Sequence, residues 1–119
     1  MDYKDYIKVG REYLQHGENY FSEGDLLQAS EKFWGAAAQF VKALASKRGW
    51  PHDGHADLFK TVATIAEEKR LPEIDKLFRA VNRLHQNFYE HWLTESQVRR
   101  DVEDTQKFCE SIIKLLNEK

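Results

Sequence analysis

"EGDLLQASEKFWGAAAQFVKALA", Glu23–Ala45, is the stretch whose reading decides the fold. Phe33, Ala37, Phe40 and Leu44 recur at three- and four-residue steps, with Trp34 and Val41 beside them. Only a helix gathers such positions onto one face. At the head of the stretch, Gly24 suits the end of one helix and Asp25 the N-cap of the next, with Gln28 placed to complete a capping box. Gly35 inside the helix costs about 1 kcal/mol relative to alanine. Together with Ala36, Ala37 and Ala38 it makes a flat surface for close approach of another helix. Tight core packing is the main reading of this surface, and a seat for a ligand or partner subunit is the other.

Working outward, the breaks fall where helices would stop. "SKRGWPHDGH", residues 46–55, brings Gly49, Pro51 and Gly54 together, Leu71-Pro72 interrupts the next run, and Thr94 with Gln97 forms a second capping box. Five helices follow, at 3–23, 25–48, 55–70, 73–93 and 95–117. In the first, Tyr6, Val9 and Tyr13 form a stripe. The fourth carries an expected seam of Leu77, Val81, Leu84, Phe88 and Trp92, and the fifth one of Val98, Val102, Thr105, Cys109, Ile112 and Leu116. No segment alternates as a strand would. The expected fold is all-α, an up-down bundle of about five helices, with residues 1–119 as a single domain.

Composition narrows the function classes. The 119 residues are 41% hydrophobic and 32% charged, with a formal net charge of −2, so the molecule has no bulk attraction for nucleic acid or anionic membrane. Cys109 is the only cysteine, which rules out an internal disulfide or a cysteine-based zinc cluster and points to the cytoplasm. No apolar run reaches the length of a membrane span, and the opening "MDYKDYIKVG" is too acidic and aromatic for a signal peptide.

Several site types can be weighed directly. A di-metal bundle needs Glu-x-x-His pairs, and none occurs. His52 and His55 flank Asp53 in "HDGH", but a solvated turn, with Asp53 or Asp57 capping the third helix, is preferred to a metal site. No metal or other cofactor is expected. There is no Gly-x-Ser-x-Gly and no glycine-rich phosphate loop, and Cys109 falls on an apolar stripe. Lys47-Arg48, Lys69-Arg70 and Arg99-Arg100 read as solvated helix ends.

"LHQNFYEHWL", residues 84–93, is denser in chemistry. His85 lies at the border of the dry seam, one turn before Tyr89, while Arg83, Asn87 and His91 form an adjoining polar stripe. An imidazole titrates near neutrality and a guanidinium can stabilise a phosphorane oxyanion, so phosphodiester chemistry is one reading. A half-buried histidine bonded to a neighbouring backbone group or hydroxyl is the other.

The Glu23–Ala45 stretch, followed some forty residues later by "LHQNFYE", resembles the PaREP family of small archaeal helical proteins, over nearly the whole chain. That family falls within the broad HEPN-like group of helical bundles, and the resemblance implies a HEPN-like fold and a homodimer. Many HEPN relatives are metal-independent endoribonucleases with an arginine, a polar residue after it, and a histidine four to six intervening positions on. Carried over, Arg79 and His85 would be catalytic, Arg83 would bind phosphate, and Asn87 and Tyr89 would orient His85. Ala80 stands where active relatives place Asn, Asp or His, and Arg79 and His85 are about 120° apart around a helix. Other HEPN proteins pair with nucleotidyltransferases as toxin and antitoxin through a tyrosine two places after the histidine, a position held here by Asn87. The resemblance thus implies RNA, nucleotide or a nucleotidyltransferase-type protein as partner, and a defence or toxin–antitoxin role. A different class is a non-catalytic protein-interaction scaffold, because "YFSEGDLLQASEKF" also resembles the turn of a tetratricopeptide repeat, although no second copy follows.

Overall fold

The computed structural model describes residues 2–118. Five helices run in order: α1 Tyr3–Ser22, α2 Leu26–Arg48, α3 His55–Glu68, α4 Pro72–Glu90 and α5 Glu95–Leu116. The sequence pattern therefore predicts every element, and the architecture is an all-α bundle. Caps account for most boundaries. Asp2 and Asp5 close a capping box on α1, and Thr94 and Gln97 close the expected one on α5. At α2 the box is half formed: Asp25 Oδ1 accepts from the Gln28 amide at 3.1 Å. At α3 the N-cap is Gly54, and Asp57 reaches back to accept from the Asp53 amide at 3.2 Å.

α2 is the axle of the molecule, packing against each of the other four helices, whereas α1 packs chiefly on α2. The α1–α2 seam is a set of aromatic knobs in glycine notches. A Cβ at Gly10 would lie 2.9 Å from the Phe40 ring, and one at Gly17 would lie 3.1 Å from the Phe33 ring. As the number rises along α1 it falls along α2, as antiparallel helices require. Tyr13 returns the contact from α1, its ring 3.0 Å from where a Cβ of Gly35 would stand. Ala36, Ala37 and Ala38 are buried, so the flat stretch of α2 is packed core.

The six-residue seam expected for α5 is buried throughout. In α4 the buried face differs from expectation. It comprises Ile74, Phe78, Ala80, Val81, Leu84 and Asn87, with Leu77 and Phe88 half-buried at its flanks and Trp92 exposed. The reason is an early stop. The Asn87 carbonyl accepts from the His91 amide, and its side-chain Oδ1 accepts from the amides of Trp92 (2.9 Å) and Leu93 (2.8 Å). One residue thus takes up three amides at the helix end, while His91 turns left-handed at φ 53°. Trp92 leaves the helix for solvent.

Candidate functional site

The half-buried edge between α2, α3 and α4 holds the strongest concentration of chemistry. Glu31 and Trp34 are one turn apart on α2, His55 is the first residue of α3, and His85 and Tyr89 are one turn apart on α4. The Trp34 ring stacks with His85 at 4.5 Å and 26°, and with His55 at 5.1 Å and 5°. The two imidazoles are themselves 5.2 Å apart at 29°. Tyr89 meets His85 edge-on at 5.4 Å. Beneath this layer, Phe78 touches Trp34, Phe59 and Phe108, tying the edge to the core.

His85 is oriented by a carboxylate. Its Nδ1 lies 3.2 Å from both oxygens of Glu31, and its side chain is 20% exposed. A carboxylate accepting from Nδ1–H favours the tautomer with its lone pair on Nε2, the arrangement of a general base. Burial pushes the Glu31 carboxyl above its ordinary value, and the neighbouring His85 and Lys32 pull the other way. A groove of about 550 Å³ opens here, lined by His85, Gln86, Tyr89, Glu90 and Trp92. Among the described residues its lining includes a carboxylate and two aromatics but no lysine or arginine.

The other residues singled out in the sequence fall in different places. Arg79 is 70% exposed and makes an i,i+4 pair with Asp75 at 3.7 Å. Arg83 forms a two-pronged pair with Asp101 of α5, at 3.0 and 2.9 Å, and Asp101 is buried. The hydrogen bonds to Asp101 raise the affinity of the Arg83 guanidinium for its proton. Arg83 is therefore a brace between α4 and α5. The Asn87 carboxamide oxygen serves the helix end, and the imidazole instead donates its hydrogen bond to Glu31. Tyr89 is beside His85, as expected, but touches it by its ring.

His52 and His55 do not converge. His52 Nδ1 is 2.8 Å from the Trp50 carbonyl with its ring against Tyr6, whereas His55 lies on Trp34. Among the described residues no three His, Cys, Asp or Glu side chains are grouped to hold a metal. Cys109 is buried, and desolvation pushes its thiol up to about 12, which makes it a packing residue. No helix among the described residues is long and apolar enough to cross a membrane.

Glu31, Trp34 and His55 escaped the sequence reading of the site. One signal was available: Glu31 is the only acidic residue in α2, and it stands one turn from a tryptophan.

A crystal structure of a protein from Sulfolobus solfataricus superposes with a TM-score of 0.80 at 26% sequence identity, covering 92% of this chain and 97% of that one. No curated protein matches the chain. The profile of the archaeal PaREP1/PaREP8 family matches residues 5–109, which takes in nearly all of α1, the whole of α2 to α4 and most of α5. From the packed α2 axle to the His85 edge, this chain belongs to the archaeal PaREP1/PaREP8 family.

Proposed function

We propose that the protein is a HEPN-like module that associates with RNA or nucleotides as a homodimer, with His85 as its acid–base group. The observation that carries this reading is the Glu31–His85 pair. A carboxylate occupies one ring nitrogen, a tryptophan fixes the ring plane, and the other nitrogen is left for a ligand at the groove. Tyr89 and Trp92 offer faces on which a nucleobase could stack.

Among the described residues the groove lining carries no lysine or arginine, so phosphate would be neutralised from elsewhere. Arg79 is the residue we assign to that role. Among the described residues it pairs with Asp75 alone, an exposed contact that costs little to exchange, and a second copy could present it. Arg83, held by the buried Asp101, then acts as support for α4. A defence or toxin–antitoxin setting in the cytoplasm, with a nucleotidyltransferase-type partner, fits a small metal-independent module of this kind.

The test is cleavage and binding of single-stranded RNA without added metal, by wild type, His85→Ala, Glu31→Gln and Arg79→Ala, with size exclusion reporting the dimer. Losses of about 10²-fold or more in cleavage are expected for His85→Ala. Cleavage that persists in His85→Ala removes the imidazole from the mechanism. The exposed aromatics Phe59, Tyr89 and Trp92 favour a second reading, a non-catalytic scaffold for another protein. Wild type that binds neither RNA nor nucleotide would favour that scaffold.

A further inference from the structure

The chain repeatedly places cations over its aromatic rings. Lys32 lies over Tyr13 at 4.7 Å, Lys47 over Tyr3 at 5.4 Å, Arg48 over Trp50 at 5.2 Å and Arg99 over Phe21 at 5.0 Å. The two arginines follow a stricter pattern. Arg48 also bonds both oxygens of Glu68, at 3.0 and 2.6 Å, and Arg99 bonds Glu95 at 2.8 Å. Each guanidinium is held between a ring and a carboxylate.

At the end of α4 the same two components stand ready. Tyr89 and Trp92 are 69% and 59% exposed, and Glu90 lines the groove with them. Among the described residues no cation lies over either ring. Glu31, behind His85, places a second carboxylate at the edge of the site. Charge complementarity therefore selects a cation as occupant. The planar fork of a guanidinium can stack on a ring and bond a carboxylate at once, which an ammonium cannot do as well.

We infer that this groove receives an arginine side chain from a basic segment of a partner protein. The arginine stacks on Trp92 or Tyr89 and donates to Glu90. The inference requires neither catalysis nor Arg79, and it gives the faces of Tyr89 and Trp92 an occupant that competes with the nucleobase proposed above.

The probe is the capped tripeptide Gly-Arg-Gly, titrated into ¹⁵N-labelled full-length protein, with Gly-Lys-Gly and the neutral isostere Gly-citrulline-Gly as controls. The indole N–H signal of Trp92, assigned with Trp92→Phe, should shift and saturate with the arginine peptide. The lysine peptide should bind at least about threefold more weakly, and citrulline should give no saturation. Glu90→Gln and Tyr89→Ala should each weaken the arginine peptide with no change in thermal midpoint. Equal binding of citrulline, shifts centred away from the groove, or a silent arginine peptide would each overturn the proposal. So would a mononucleotide that moves the Trp92 signal while the arginine peptide does not. Lysine binding as tight as arginine would overturn the choice of guanidinium.

Discussion

The α1–α2 seam and the His85 edge are both built from aromatic residues on α2, and they are built differently. In the seam, Phe33 and Phe40 are completely buried over glycine notches. At the edge, Trp34 is stacked by two imidazoles, His85 is tied to a carboxylate, and Tyr89 and Trp92 stand in solvent. The seam maximises apolar burial and dispersion contact. The edge leaves ring faces and hydrogen-bonding groups unused by the fold, and unused groups beside a groove are what a ligand can employ. Stability should therefore sit in the seam, and binding at the edge.

The largest effect should come from the seam. Phe33→Ala should lower unfolding free energy by about 3–5 kcal/mol, since it empties a fully buried site that Gly17 on the facing helix cannot refill. Chemical denaturation measures this directly. A loss below about 1 kcal/mol would show that the notch collapses around the missing ring.

Next is the brace. Asp101→Ala should cost about 1–3 kcal/mol, because it removes the acceptor of two hydrogen bonds to Arg83 and the α4–α5 tie that they make. Removing Arg83 instead leaves a buried carboxylate unpaired and should cost at least as much. The double variant should then fall short of the sum of the two single losses. Full additivity would mean that the pair contributes nothing as a pair.

A smaller effect, seen as a pH dependence, belongs to Glu31. Its folded-state carboxyl titrates above the ordinary 4.5, chiefly because burial penalises the charge. A raised value means that the folded state holds the proton more tightly than the unfolded chain does. The corresponding stability is present below about the ordinary value and is lost as pH rises through the folded-state value. Glu31→Gln cannot titrate there, so the wild type should weaken relative to this variant as pH climbs from acid toward neutrality. Parallel denaturation curves across that range would contradict the direction.

The smallest effect should be at the rim. Trp92→Ala and Tyr89→Ala should each leave stability within about 0.5 kcal/mol of wild type, because both rings are mostly exposed. A large loss at either position would erase the contrast between seam and edge, and would make these rings part of the fold.

What could be read from the sequence follows the range of the forces involved. Helices and caps are local, so Thr94–Gln97 and the α5 stripe declare themselves within a few residues. The end of α4 does not, because Asn87 stops the helix with a side chain that reads equally well as a surface polar group. Gly10 and Gly17 look like liabilities within α1 until Phe40 and Phe33 occupy them from another helix. At the site, His85 and Tyr89 are legible because they share a helix. Glu31 is 54 residues from His85, and no periodicity links an acid on α2 to an imidazole on α4. The tie between Arg83 and Asp101 was hidden for the same reason, as Asp101 lies on the next helix.

Because the backbone of the first helix approaches only its immediate successor, it can detach at the cost of few contacts beyond that seam, such as Phe21 under Arg99, and leave the packing among the remaining four intact. Its removal uncovers Phe33 and Phe40, and with them a sticky stripe along the central rod. Opening of this kind makes the N-terminal arm the place where deuterium would enter the backbone first. It also makes that arm the natural strand of exchange if two molecules ever trade segments.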